Sequence, residues 1–256
     1  MHNRRHKGAI ALTLTFVSGF IDIVGYLAVY HAFSANMTGD TVHFGRELVS
    51  GSWVTALFFL SVVLVFLGGS ILGRGIMEAA ARIRLRTVAS VNMALEASLV
   101  VIFIVFAGNA VRSSNPSHAL PGNAWFLLIL AAAMGLQTAT ITRIGSLTIH
   151  TTFVTGMLNK FAQQVSHLLF NYYDSTKASG QERQEHTARR NSRFRQAAFV
   201  GSIWVFYVGG AAAGTWGYFQ WGSIALYGPV GLLLLSTGID QMHPLSIEEE
   251  RDQSER

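Results

Sequence analysis

The chain contains no cysteine, which removes disulfides, thiolate metal sites and thiol nucleophiles. Charge is scarce as well. Asp, Glu, Lys and Arg make up 13% of the residues, where a soluble domain carries about 25%. No His-Glu-x-x-His, Gly-x-Ser-x-Gly or Gly-x-Gly-Asp pattern is present, so zinc-hydrolase, serine-hydrolase and intramembrane-protease chemistry lack their usual residues. The sequence thus offers no catalytic residue, no metal site and no cofactor site, and the expectation is that the protein is not an enzyme.

What fills the chain instead is apolar. Half of its 256 residues are hydrophobic, gathered into separate runs of about 20 residues, the length that crosses a bilayer as helix. Six spans are predicted, at roughly 9–33, 54–74, 87–108, 124–143, 196–219 and 223–241. The fold class expected is all-α, a polytopic membrane protein with the lipid bilayer as its surroundings. The basic start MHNRRHK resembles a signal peptide, but the apolar run behind it is too long for one and carries Asp22, so it reads as a retained first helix. Between spans, 109–123 is turn-rich through Asn115-Pro116 and Pro121-Gly122. Residues 174–195 read as a mobile cytoplasmic loop and 242–256 as a flexible tail. Pro229 falls inside the last span, where a kink is tolerable because neighbouring helices satisfy the freed carbonyl.

The pI of 9.8 would suit nucleic acid, but no basic helix with interleaved aromatics is present, so no nucleic-acid partner is expected. The charge lies between the apolar runs. With six spans, all but Arg46 and Arg112 of the 19 Lys and Arg residues fall on the side of the termini. The positive-inside rule then places both termini in the cytoplasm.

The chain also resembles itself. Val65–Gly73 and Phe206–Gly214 both carry Gly-Gly-x-x-x-Gly, with Gly69, Gly73, Gly210 and Gly214 spaced one turn apart, as in close helix–helix seams. Residues 33–48 align without gaps to 150–165, sharing Thr38/Thr155, Gly39/Gly156 and Phe44/Phe161, while Gly19 and Gly135 precede the Thr-Gly pairs at similar distances. Each Thr-Gly segment follows the first helix of a three-helix group, 9–108 and 124–241. An odd number of helices per group inverts the second copy, an architecture frequent in secondary transporters. The two Thr-Gly segments are expected on opposite membrane sides, the first outside and the second inside. A shared need for a Thr cap and a turn glycine would also explain the recurrence. Val154, Met157, Leu158, Phe161, Val165, Leu168 and Leu169 then mark the apolar face of an amphipathic helix, lying on the membrane interface or bracing the bundle.

Polar groups stand where lipid-facing positions belong. Asp22 lies about 12 residues from either end of its span, or roughly 18 Å at helical rise, too deep to reach water by extending. Glu96 is similarly central in the third span, with Asn92 one turn before it. No Lys or Arg lies near mid-depth of any span, so these acids point to proton uptake or a held cation, or to protonated hydrogen-bond donors. Gln137 in the fourth span is either a pathway residue or a bridge between helices. His31 and His43 flank the first Thr-Gly segment without metal-ligand spacing and read as solvated interfacial histidines.

Ser-Gly-Phe-x-Asp (Ser18 to Asp22), Asn-x-Thr-Gly (Asn36 to Gly39), Gly-Leu-Gln (Gly135 to Gln137) and Thr-Thr-Phe-Val-Thr-Gly (Thr151 to Gly156) together resemble the YoaK-like bacterial membrane proteins. The resemblance spans nearly all of 9–241 and departs at Asp40, where the family commonly has Asn. It implies a bacterial inner-membrane protein of about six helices and names no substrate. From the residues themselves the expected function is a small secondary transporter or permease for a small solute or ion. Asp22 and Glu96 would carry the coupling charge. Asn36, Thr38, Gly39, Asp40, Thr155 and Gly156 would line entry points, and the glycine seams would suit a homodimer. A non-transporting scaffold, binding partners or anionic lipid through 174–195, is the alternative.

Overall fold

The computed structural model describes residues 2–83, 87–111, 122–140, 143–144, 147–148, 151–177 and 181–242. Eight helices carry the fold: α1 (His2–Ala28), α2 (Met37–Val49), α3 (Trp53–Arg82), α4 (Val88–Val111), α5 (Leu127–Thr140), α6 (Val154–Lys177), α7 (Gln181–Trp221) and α8 (Tyr227–Met242). Single 3-10 turns, Gly122–Phe126 and Gly222–Leu226, lead into α5 and α8. A two-residue antiparallel ladder joins β1 (Arg143–Ile144) to β2 (Leu147–Thr148) between α5 and α6.

Five helical stretches among the described residues are long and apolar enough to cross a membrane: His6–Ala28, Trp53–Ala80, Ala89–Phe106, Asn123–Thr140 and Arg193–Met242. The last is a continuous stretch holding most of α7, the 3-10 turn and α8, where the sequence suggested two separate spans. Leu57, Leu64, Leu67, Ile71 and Leu72 of α3 are exposed, as are Trp204, Val205, Val208, Trp216 and Phe219 of α7. Such continuous apolar surface suits lipid rather than water. Inside, Leu14, Ile21, Phe58, Phe59, Phe103, Leu127, Leu130 and Met134 form one closed core.

Several boundaries differ from the sequence reading, each for a local reason. α1 stops at Ala28 instead of running to residue 33, because Tyr30 and His31 adopt left-handed φ values of 46° and 52° and turn the chain back. Pro229 lies in the first turn of α8, where a missing N–H costs little, so no mid-helix kink arises. The segment 174–195 carries the end of α6 and the start of α7, with only 178–180 outside the described residues. The connection at 112–121 and the tail from 243 onward also lie outside them.

Glycines set how the long helices cross. A Cβ on Gly19 of α1 would strike the Tyr207 carbonyl of α7, and one on Gly210 would strike the Phe16 carbonyl. The same exchange links α3 and α5: Gly69 abuts the Ala132 carbonyl and Gly135 the Phe66 carbonyl. One turn on, Gly214 rests on Phe20 and Ile23, and Gly73 on Leu136 and Ala139. In both pairs the contacts advance along the two chains together, so α1 runs parallel to α7 and α3 to α5. α2 packs on α3, α6 on α7, and α4 on α8.

Candidate functional site

The reversal after α1 brings the chain back onto the helix it has just left. Val29 N–H still bonds the Gly25 carbonyl at 2.9 Å, and Ala32 N–H the Val29 carbonyl at 3.1 Å. Tyr26 stacks on Phe33 with ring centroids 4.8 Å apart. Residues 33–35 then lie beside the last turns of α1. There the Asp22 carboxyl accepts the backbone N–H groups of Ser34 and Ala35, both at 2.8 Å, and the Ser34 hydroxyl at 3.1 Å. Its other oxygen accepts the Tyr207 hydroxyl of α7 at 2.8 Å. Asp22 is buried, yet two groups that only donate and two hydroxyls surround it.

The next amide belongs to a second acid. Phe33 N–H donates to Asp40 Oδ1 at 3.2 Å, while Asp40 Oδ2 is buried without a hydrogen-bond partner. Asp40 stands in the first turn of α2, outside the apolar stretches. Burial pushes its pKa up to about 7, and the nearby Asp22 charge adds to this, while the Phe33 bond opposes it. Three consecutive amides of the returning segment are therefore held by two acids.

The second Thr-Gly segment returns in a comparable manner. Thr138 of α5 and Thr152 share a hydrogen bond of 2.7 Å. Gln137 Nε2 donates to the Leu14 carbonyl of α1 at 2.6 Å and reaches the Thr151 hydroxyl at 3.5 Å. Gln137 thus bridges α1, α5 and this segment.

Between the two returning segments lies a cavity of about 500 Å³. It is lined by Asp22 of α1, Tyr207 of α7, Phe66 of α3 and Thr138 of α5, by Phe33, Ala35, Asn36, Met37 and Thr38 of the first returning segment, and by Thr152, Phe153, Val154 and Thr155 of the second. The Thr-Gly segments, expected on opposite sides of the membrane, meet here because each doubles back into the bundle. Of the residues singled out from sequence, Asp22, Asn36, Thr38 and Thr155 line the cavity. Gly39, Asp40 and Gly156 stand just behind it in the first turns of α2 and α6. Both glycines are helical, so the turn-glycine explanation does not hold: positive φ among the described glycines occurs at Gly51 and Gly222. They make room instead. A Cβ on Gly39 would lie 3.3 Å from the Phe33 ring, and one on Gly156 would strike the Phe153 ring.

Glu96 is not part of this lining. It is buried in α4 with neither oxygen hydrogen-bonded among the described residues, while the neighbouring Asn92 amide donates to the Gly73 carbonyl at 3.3 Å. Among the described residues, no group of three or more His, Asp or Glu side chains is placed to hold a metal ion. His43 stacks on Phe59 at 4.9 Å. Among the lining residues not singled out from sequence are Tyr207, Phe66, Thr138 and Thr152. A signal for two of them existed, since Tyr207 and Phe66 each stand three residues before the second glycine of their Gly-Gly-x-x-x-Gly motif. Asp240 was missed too. Its carboxylate accepts the Ser90 N–H at 2.9 Å and so caps the start of α4.

The family described as "Protein of unknown function (DUF1275)" has a model that matches residues 10–239. The UPF0700 transmembrane protein YoaK of Bacillus subtilis (strain 168) is 27% identical over 165 residues, covering 64% of this chain and 70% of that protein. No solved structure matches. The match runs from the first apolar helix to the last and takes in both Thr-Gly segments, so this multi-pass membrane protein belongs to the DUF1275 family.

Proposed function

We propose that this protein is a small secondary transporter built from two inverted repeats, with the central cavity as its solute site. The observation that carries the reading is the pairing of positions across that cavity. Gly19 and Gly135 occupy matching places in α1 and α5, and the offset between them carries Asp22 onto Thr138. The offset between the Gly-Gly motifs carries Phe66 onto Tyr207, and that between the Thr-Gly pairs carries Ala35 onto Thr152 and Thr38 onto Thr155. All eight line the cavity. Ser18 and Met134, another matched pair, touch each other at 3.9 Å, as residues beside a two-fold axis do. The parallel courses of α1 with α7 and of α3 with α5 suit six crossings, α7 and α8 being separate ones. Both termini then lie in the cytoplasm and the protein sits in the bacterial inner membrane.

The moving parts differ from the two sequence halves. α1 belongs by packing to α7 and α6, while α5 belongs to α3 and α2. Alternating access would come from one of these exchanged units rocking against the other around the cavity. Asp22 is the one acid of the lining, and its hydrogen bonds tie the returning segment to α7. Reconstituted protein screened with small solutes by solid-supported membrane electrophysiology is expected to give transport currents. Asp22→Asn should reduce them tenfold or more, and silence of the folded wild type across all solute classes would refute transport. The scaffold reading draws on one observation, the polar helical extension of α7 from Gln181 to Arg195. It gains if removing that extension abolishes the cellular phenotype.

A further inference from the structure

We propose that the cavity takes a small organic cation of the tertiary or quaternary ammonium class, an inference that rests on the reading of this cavity as the solute site. The lining contains one carboxylate, Asp22, and no Lys, Arg or His. Four rings, Phe33, Phe66, Phe153 and Tyr207, share it with threonine hydroxyls. The only charge that the lining side chains can present to a solute is therefore negative, in surroundings of low polarity where a unit charge is felt strongly.

The hydrogen bonding of Asp22 narrows the class. Oδ1 already takes two backbone N–H groups and the Ser34 hydroxyl, and Oδ2 takes the Tyr207 hydroxyl, which leaves room for one further donor. A primary ammonium or guanidinium needs acceptors for several N–H groups and would compete with donors that hold the fold. An alkylated ammonium needs the field and few or no acceptors. Its charge is spread over methyl groups, and aromatic rings attract it through their negative faces. Phe33 and Phe153 occupy the room made by Gly39 and Gly156, so the ring placement is built into the Thr-Gly motif itself.

Two helix starts at the cavity oppose this, since the first turn of a helix carries a partial positive charge. At α2 the effect is offset: the Asn36 side chain accepts the Gly39 N–H at 3.3 Å, and Asp40 stands in the first turn. At α6 about half a charge remains, less than the unit charge of an ionised carboxylate.

The test compares choline with 3,3-dimethylbutan-1-ol, its uncharged carbon isostere, binding to the full-length protein in nanodiscs by calorimetry. Choline should bind at least tenfold more tightly than the isostere. Phe66→Leu should weaken choline severalfold and leave the isostere unchanged, and Asp22→Asn should erase the preference. Folding of each variant is checked by its melting temperature. Equal binding of the two probes, equal losses for both in Phe66→Leu, or acetate binding more tightly than choline would each overturn the proposal. Choline binding in a protein that gives no current with any solute class would support this proposal while refuting transport. Currents with other solutes but no choline binding would refute this proposal alone.

Discussion

Asp22 and Asp40 show how one residue type takes different work from its surroundings. Asp22 receives four hydrogen bonds, three at one oxygen and one at the other. Asp40 has a single amide and an oxygen left over, and its pKa of about 7 stands well above the ordinary 3.8. The folded protein therefore holds a proton that the unfolded chain releases between those values. Stability falls as pH rises from about 4 to 7 and is level above, by at most roughly 4 kcal/mol on linkage grounds. Asp40→Asn keeps an oxygen for the Phe33 amide and removes the titration. In detergent, the variant should match the wild type near pH 4.5 and melt several degrees higher at pH 8. A gap that does not widen with pH would contradict the assignment.

At the scale of helices, small residues decide who pairs with whom. Gly69 and Gly68 are neighbours in α3 with opposite surroundings: Gly69 lies against the Ala132 carbonyl, whereas a Cβ on Gly68 meets nothing within 4 Å. Gly69→Ala must push backbone away and should cost about 1–3 kcal/mol, as overpacking does. Gly68→Ala only relieves the helix of a flexible residue and should be neutral or stabilising by up to ~1 kcal/mol. Melting of the two variants side by side separates a helix seam from general glycine loss. α6 shows the other use of a helix face. Met157 is buried, and the Phe161 ring lies 3.1 Å from a Cβ built on Gly201 of α7, while Leu169 and Phe170 stay exposed. The amphipathic stripe thus divides between bracing α7 and facing outward.

For the whole molecule, lipid takes the part that water plays around a soluble core, so buried contacts concentrate along seams rather than in one thick interior. In the proposed transport cycle the group of α1, α6 and α7 rocks against that of α2, α3 and α5, and one polar contact between them permits a direct test. Thr138 of α5 and Thr152, just before α6, have hydroxyls 2.7 Å apart, and the chain has no cysteine of its own. A Thr138→Cys/Thr152→Cys variant should oxidise to a disulfide that joins the units. Transport currents should fall to background on oxidation and return on reduction. A cross-linked protein with undiminished current would place the motion elsewhere.

The amino-acid sequence by itself determined that this is a helical membrane protein, because apolar run length and charge scarcity answer to the bilayer and to no partner within the chain. It also marked Asp22, Asn36, Thr38 and Thr155, because polar groups at such positions are costly and because Thr-Gly recurs. Only the tertiary structure decided where α1 ends, that both Thr-Gly segments fold back into one cavity, and that Glu96 stands apart from it. Those outcomes depend on donors and carbonyls contributed by segments far away in sequence, such as Tyr207 to Asp22 and Leu14 to Gln137. The pairing of α1 with α7 and of α3 with α5 was hidden for the same reason. A glycine motif states that a helix can be approached closely, while the choice of which helix approaches belongs to packing across the whole chain.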